Sequence, residues 1–149
     1  MPKIISLEVE QLMERMYRLW NIRPRSEKEI TDYLRRLSIS TSMVDIVLAR
    51  LKQLRLLNDE QFAKSWIEAR SKKKGMIAIK AELYRKGISK EIIDGVTNIE
   101  INQEETAKKL LEKRLPRIRS RKQAYEFLVR RGFEYEIVAQ VIEKILKKR

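Results

Sequence analysis

Apolar residues recur three and four positions apart along most of this 149-residue chain, which is the spacing of one face of an α-helix. The pattern occurs three times. When Leu34, Leu83 and Leu128 are aligned, the positions around them carry matching residue types, with copies about 45 to 49 residues apart. A period in this range is typical of stacked supersecondary units. The other matching positions include Ile30, Ile79 and Ala124 ahead of the aligned leucines, and Ile39, Ile88, Phe133, Val47, Val96 and Val141 after them.

Cap and turn residues divide each copy into three helices. Four short polar residues stand three positions before a Glu or Gln, a spacing that predicts a helix N-terminus. They are Ser26, Asn58, Asn102 and Ser120. Gly87 and Gly132 suit the left-handed residue that ends a helix, because glycine has no Cβ. The predicted helices are 7–20, 26–37, 41–57, 59–72, 76–86, 89–98, 103–115, 120–131 and 134–147.

The fold expected from these helices is all-α. A three-helix unit of this size encloses little interior, so neighbouring units should share a continuous core. We predict three tandem three-helix repeats stacked into an elongated, curved, right-handed-type solenoid. The units are 1–57, with a short N-terminal arm, 58–101, and 102–149, which is the most basic. Such a shape offers a long surface to a partner rather than a deep catalytic pocket.

Composition limits the chemistry. The chain has no His and no Cys, which removes disulfides, thiolate nucleophiles, histidine bases and the usual zinc or copper sites. The carboxylates form no pair that reads as acid and base. We therefore expect no enzyme activity, no catalytic residue, no metal site and no cofactor. No apolar run approaches the roughly 18 residues of a membrane span, and the start lacks a secretory signal pattern. These features predict a soluble cytoplasmic protein.

Charge separates the third copy from the others. Lys and Arg total 34 against 21 Asp and Glu, a net charge of +13. Residues 102–149 alone carry 14 basic and 7 acidic residues, and a chain this basic attracts polyanions such as DNA, RNA or an acidic groove. The candidate contact residues are Arg114, Arg117, Arg119, Arg121, Lys122, Arg130, Arg131, Lys72, Lys73 and Lys74. Charge runs also solvate helix faces and complement helix C-termini. That second interpretation is favoured for Lys147–Arg149 and stays equally open for Lys72–Lys74.

The aromatic residues point to packing more than to base stacking. Tyr17, Trp66 and Phe133 have apolar equivalents in other copies, which favours positions in the core. Trp20 and Tyr84 lack apolar equivalents in every copy, so we expect them to be exposed.

Four segments, in order, resemble the bacterial regulatory protein RecX family over nearly the whole chain. The segments are RPRSEKEI (23–30), LLNDEQFAKSWIEARSKKKG (56–75), IKAELYRKGISKEII (79–93) and RRGFEYEIV (130–138). Each segment alone is a weak signal, whereas four in the correct order inside a threefold repeat are specific. Ser38 and Asn58 depart from the family, which usually has Gly at the first position and commonly an acidic residue at the second. Both substitutes can cap a helix.

The resemblance implies a partner that the residue pattern does not reveal. Proteins of this family are tandem three-helix-repeat modulators of the RecA recombinase, without catalytic residues or cofactors. They lie along the groove of the RecA–DNA filament and restrain RecA's ATPase, strand-exchange and coprotease activities, in recombination, DNA repair and the SOS response. By this resemblance we expect a monomer that binds the RecA filament, with direct contact to single- or double-stranded DNA possible and no contact with a membrane.

Two other functions are compatible with parts of the sequence. Residues 39–57 look like the recognition helix of a winged-helix DNA reader, but a helix cap follows at Asn58 where a β-hairpin should stand. That function therefore ranks below the modulator. The other is a general basic helical-repeat protein that binds DNA or RNA and acts without RecA.

Overall fold

The structure is a computed structural model that describes residues 2–97 and 102–146, with side chains from residue 8 onwards. Within these ranges there are nine α-helices, one 3-10 turn and no strand, so the all-α prediction is confirmed. The helices are α1 (Pro2–Ile22), α2 (Glu27–Arg36), α3 (Thr41–Gln53), α4 (Asp59–Arg70), α5 (Met76–Arg85), α6 (Lys90–Val96), α7 (Gln103–Arg114), α8 (Arg121–Arg130) and α9 (Tyr135–Leu146), with the 3-10 turn at Leu115–Arg117. None of the described helices is long and apolar enough to cross a membrane.

Each set of three helices surrounds its own apolar cluster, so the expectation of one core shared between units is wrong for the described residues. The first and third helices of each unit pack on one another, as α1 on α3, α4 on α6 and α7 on α9. The aligned leucines Leu34, Leu83 and Leu128 are completely buried, one in each cluster. Truncating such a leucine to alanine typically costs about 2–5 kcal/mol. The helical-repeat fold is therefore confirmed, while the curvature of the array and the unit boundaries stay predictions.

The predicted cap and turn residues are confirmed, whereas some of the predicted helix lengths are not. Ser26 and Glu29 form a full capping box, whereas Asn58 accepts from the amide of Gln61 without the reciprocal bond. Gly87 and Gly132 have φ values of 80° and 91°, as the sequence predicted.

The prediction that α3 extends to residue 57 is wrong. The helix ends at Gln53 because Arg55 adopts a left-handed φ of 59°. The amides of Leu56 and Leu57 then bond back to the carbonyl of Leu51, which satisfies the end of the helix in the way a glycine-terminated helix does. Position 55 is an arginine and not the glycine or asparagine that usually adopts this conformation, so the residue type does not mark the turn in the sequence. The predicted ends of the sixth and ninth helices, at 98 and 147, and the cations of Lys147–Arg149 lie outside the described residues.

Two of the aromatic predictions are also wrong. Tyr17 is 48% exposed, because the buried face of α1 runs through Met13 and the fully buried Met16 instead. Trp20 is partly buried, and its indole Nε1 donates to the carbonyl of Leu56 at 3.1 Å. Phe133 is buried and Tyr84 is exposed, as predicted.

The units are joined through the first turn of the second helix in the first two units, α2 and α5. At the first junction, the hydroxyl of Ser26 donates to the carbonyl of Lys86 at 2.7 Å, and the amide of Glu27 donates to the carboxylate of Asp59 at 2.9 Å. This turn is therefore held by two residues of the next unit, one at the end of α5 and one at the start of α4.

The second junction repeats the first. The amide of Gly75 donates to the carbonyl of Arg131 at 2.8 Å, and the amide of Met76 donates to the side-chain oxygen of Gln103 at 2.9 Å. A Cβ on Gly132 would lie 2.3 Å from the Cβ of Ala78, so this turn requires glycine for its close approach as well as for its φ. The two junctions have the same geometry because the caps Ser26 and Gly75 occupy one repeat position, and the turns that follow α5 and α8 occupy another.

Candidate polyanion-binding groove

Four of the predicted contact residues meet in one groove of the third unit. The groove consists of two adjoining cavities of about 400 and 520 Å³, which share Arg114, Arg117, Phe127 and Arg131. Arg130 lines the first cavity. The cations therefore come from three elements that are separated in sequence but adjacent in the unit: α7, the 3-10 turn and the end of α8.

Local structure explains this convergence. The 3-10 turn that contains Pro116 follows α7 directly, and Ile118 buries its side chain just after it. The chain therefore turns while Arg117 stays at the surface. On α8, Phe127 and Arg131 are four residues apart and so lie on the same side of the helix.

Phe127 holds two of the guanidinium groups. The Cζ atoms of Arg114 and Arg131 lie 5.3 and 5.2 Å from the centre of its ring, within the range of cation–π attraction. Arg131 also donates from Nη1 to the carbonyl of Lys73 at 3.3 Å. Both arginines are thereby positioned without a carboxylate partner, which leaves their charge available to an anion.

The second unit has a buried carboxylate that pairs with its arginine, and the third unit has no such carboxylate at the equivalent position. At the end of α4, Arg70 forms an ion pair at 2.8 Å with Glu82, a buried carboxylate on α5. Arg114 ends α7 in the same way, but Phe127 occupies the repeat position of Glu82, one residue before the aligned leucine. Among the described residues, no carboxylate lies within ion-pair distance of the four groove arginines. Glu126 lines the first cavity without reaching that distance.

The lowered pKa of Glu82 shows that the carboxylate of the second unit is charged. Burial raises the pKa of its carboxyl, but hydrogen bonds from Arg70, Lys74 and Trp66 outweigh burial and lower the pKa to about 2. This carboxylate is therefore ionised throughout the physiological range, and it pairs with both Arg70 and Lys74 and offsets one of their two positive charges. The third unit keeps the cations and replaces the carboxylate with a ring, which is the physical origin of its free positive charge.

The remaining predicted residues lie elsewhere. Lys74 forms an internal ion pair at 2.8 Å with Glu82, a carboxylate that it shares with Arg70. Lys72 and Lys73 are exposed on the segment beside the groove. The other three, Arg119, Arg121 and Lys122, are exposed before and within the first turn of α8 and do not line either cavity.

Two arginines that the sequence reasoning missed share the repeat position of Arg130. Arg36 and Arg85 stand two residues after their aligned leucines, are exposed, and line cavities of about 170 and 390 Å³ on the first and second units. The second of these cavities also contains Trp66, with Lys86 Nζ 5.4 Å from the ring centre. Aligning the copies by charge as well as by hydrophobicity would have revealed these residues.

The described residues contain no group of three or more carboxylate, His or Cys side chains that could hold a metal ion. The chemistry of the groove is therefore that of guanidinium groups beside an aromatic ring. It can bind oxyanions through charge and paired hydrogen bonds.

Comparison with known proteins agrees with this architecture. Residues 58–96 match the model of the RecX second three-helix domain, and residues 102–142 match that of the RecX third three-helix domain. The regulatory protein RecX of Chlorobium phaeobacteroides is 33% identical over 140 residues, covering 87% of this chain and 90% of its own. That of Clostridium perfringens is 29% identical over 131 residues, covering 81% and 62%. The crystal structure of RecX from Lactobacillus salivarius has the same fold, with a TM-score of 0.81, 24% identity and 99% of both chains covered. On these matches the chain belongs to the RecX family of regulatory proteins.

Proposed function

We propose that this protein is a non-enzymatic cytoplasmic regulator that binds the RecA–DNA filament along its groove as a monomer. It modulates RecA, mainly by inhibiting the ATPase, strand-exchange and coprotease activities. Family membership supports a regulatory role. The observation that carries the proposal is the set of groove arginines in the third unit, whose charge no described carboxylate neutralises.

Electrostatics supports a highly charged partner. The net charge of +13 raises the rate of encounter with a polyanion such as a nucleoprotein filament. The groove arginines then supply short-range contacts. Because Phe127 and the carbonyl of Lys73 already hold two of them, less side-chain freedom is lost when a partner binds.

The titration of two carboxyl groups, the partly buried Glu29 and the buried Glu82, supports a role without catalysis. For Glu29, burial raises the carboxyl pKa, but bonds from Arg23 and the Ser26 amide, and the charge of Lys86, lower it to about 2. Glu82 is held at a similar value. Neither group can exchange a proton efficiently near neutral pH, where a general acid or base should titrate. Both serve the fold as ion-pair partners.

The test compares two variants in RecA's DNA-dependent ATPase and strand-exchange assays. Phe127→Glu places a carboxylate where the second unit has Glu82, so Arg114 should pair internally as Arg70 does. Phe127→Leu keeps the position apolar and is the matched control. We expect the half-inhibitory concentration of Phe127→Glu to rise about 10- to 100-fold, because a charged hydrogen bond contributes on the order of 1.5–3 kcal/mol. Phe127→Leu should change it about threefold or less, since only the weak ring contacts are lost.

A different outcome would support the other function. If the protein saturates DNA without any effect on RecA, it is a general basic helical-repeat binder of DNA or RNA. In that case its affinity for duplex DNA should fall on the order of a thousandfold between about 50 and 200 mM salt for about six phosphate contacts. If Phe127→Glu inhibits RecA as well as the wild type does, the groove is not the contact surface.

A further inference from the structure

The groove of the third unit contains donors that the described part of the chain does not use. The side-chain N–H groups of its four arginines have one acceptor among the described residues, the carbonyl of Lys73, which accepts from Arg131 at 3.3 Å. Gln123 also lines the first cavity. Its Oε1 accepts from the amide of Arg119 at 2.8 Å, so its Nε2 is left as a further donor. The groove therefore suits a ligand that brings acceptors.

In the second unit, a carboxylate side chain occupies the equivalent site. Arg70 and Arg114 are the last residues of α4 and α7, which are both 12 residues long. Glu82 and Phe127 each stand one residue before an aligned leucine. Arg70 donates to Glu82 at 2.8 Å, whereas the guanidinium of Arg114 lies 5.3 Å from the centre of the Phe127 ring. A carboxylate from another molecule would give Arg114 the bond that Arg70 forms within the fold.

The apolar walls of the groove favour a protein segment over nucleic acid. Apolar side chains line both cavities, namely those of Ile118 and Phe127 in the first and of Leu110, Pro116 and Phe127 in the second. A phosphate backbone has no apolar side chain to place against these walls. In a protein segment, the residue next to an Asp or Glu can bury an apolar side chain there.

The distribution of the cations points the same way. A nucleic-acid strand is bound by cations that follow its backbone. The neighbouring cations that would extend such a track line neither cavity, and they are Arg119, Arg121 and Lys122. The groove arginines instead surround two adjoining cavities, which is the arrangement expected for individual side chains of a ligand.

We propose that the groove binds an acidic segment of a partner protein, in which an Asp or Glu has an apolar neighbour. The carboxylate accepts from Arg114 and Arg131 beside the Phe127 ring, and the apolar neighbour packs on Leu110 and Pro116. The inference rests on the proposed function in taking the groove as the contact surface. It goes further by assigning that surface to a protein component of the partner and not to DNA.

The test is a titration of the full-length protein, labelled with ¹⁵N, by three blocked peptides of equal length. They contain Glu-Leu-Glu, Gln-Leu-Gln or Glu-Ser-Glu between identical Gly-Ser flanks. We expect the Glu-Leu-Glu peptide to shift the Nε–Hε signals of Arg114 and Arg131 and the side-chain amide signals of Gln123. It should bind about tenfold more tightly than the Gln-Leu-Gln peptide, because hydrogen bonds between charged groups are stronger than those to neutral ones. It should bind about fivefold more tightly than the Glu-Ser-Glu peptide, because only leucine buries apolar surface.

Variants locate the binding site. Arg114→Ala should weaken binding of the Glu-Leu-Glu peptide about 10- to 100-fold, because it removes a charged hydrogen bond. Arg114 is exposed, so this change should leave the melting temperature unchanged. Phe127→Glu supplies a carboxylate within the fold and should abolish peptide binding. Arg121→Ala, at an exposed arginine of α8 that lines neither cavity, is the matched control and should leave peptide binding unchanged.

Four results would overturn the inference. They are equal affinity of the Glu-Leu-Glu and Gln-Leu-Gln peptides, equal affinity of the Glu-Leu-Glu and Glu-Ser-Glu peptides, no shifts of the groove signals at millimolar peptide, and equal effects of Arg114→Ala and Arg121→Ala. A short DNA duplex provides the competing arm: if it shifts the groove signals and the acidic peptide does not, the groove binds phosphate and the inference is wrong.

Failure of this inference is distinguishable from failure of the proposed function. If Phe127→Glu weakens RecA inhibition but the acidic peptide does not bind, the inference is wrong and the proposed function stands. If the acidic peptide binds in the groove and the protein has no effect on RecA, the inference stands and the proposed function is wrong.

Discussion

The buried carboxylate of Glu82 should stabilise the second unit in a strongly pH-dependent way. Its side chain is 8% exposed, and it accepts from Arg70 at 2.8 Å and from Lys74 at 2.8 Å. Trp66 Nε1 donates to the same carboxylate at 3.1 Å. Glu82→Gln removes the charge and keeps the volume, so the loss of stability measures the charged contacts.

The magnitude follows from the pKa. Although burial raises the pKa of Glu82, its three donors lower it from 4.5 to about 2. One pKa unit corresponds to about 1.4 kcal/mol, so ionisation stabilises the fold by up to about 3 kcal/mol. Arg70 and Lys74 are 37% and 35% exposed, and solvent screening reduces the expected value to about 2 kcal/mol.

The sign of the pH dependence is determined by the lowered pKa. Because the folded-state pKa lies below the unfolded one, the stabilisation is fully present above the unfolded value of 4.5 and is lost as the pH falls towards 2. The assay is urea unfolding of the wild type and Glu82→Gln at several pH values. Glu68→Gln, at an exposed glutamate of the neighbouring helix α4, is the control. The reasoning is refuted if Glu82→Gln loses less than about 0.5 kcal/mol at pH 7, or if its loss does not shrink with acid.

Three further substitutions test the backbone conformation at two turns and within α6. Gly132→Ala should destabilise by about 2–4 kcal/mol, because φ is 91° and the new Cβ would overlap that of Ala78, whereas Gly95→Ala, with no atom within 4 Å, should stabilise α6 by up to about 1 kcal/mol. Thermal and urea unfolding measure both, and equal effects of the two would contradict the role given to Gly132. Ser38→Gly should stabilise by about 0.5 kcal/mol, since relief of the φ of 61° exceeds the added entropy of the unfolded chain. A lower melting temperature for this variant would mean that the Ser38 side chain itself supports the turn.

Local signals explain why most of the fold could be predicted. A cap such as Ser26 and a turn such as Gly132 act within a few residues of themselves, so their spacing in the sequence already describes the helix ends. The prediction was wrong at α3 because Arg55 adopts the left-handed conformation without a residue type that favours it. It was wrong at Tyr17 because the buried face of α1 is turned towards Met16, and this rotation depends on packing against α3.

The candidate groove was predictable only in part. The charge excess pointed to the third unit, and four of the predicted arginines do line the groove. Arg36 and Arg85 were not predicted because they stand outside the densest runs of charge, and only their shared repeat position marks them. The junction ligands Asp59 and Gln103 had no distinctive signal, since a polar first residue is common at any helix start.

The amino-acid order is sufficient to define the three copies, their helices and the excess of charge in the third, because each of these depends on neighbours along the chain. Which cations remain free depends on contacts between helices. Lys74 and Arg114 both end a basic stretch, yet Lys74 lies 2.8 Å from Glu82 while Arg114 faces the ring of Phe127. The partner in each case comes from another helix, so packing determines whether the charge is neutralised within the fold or left for a ligand.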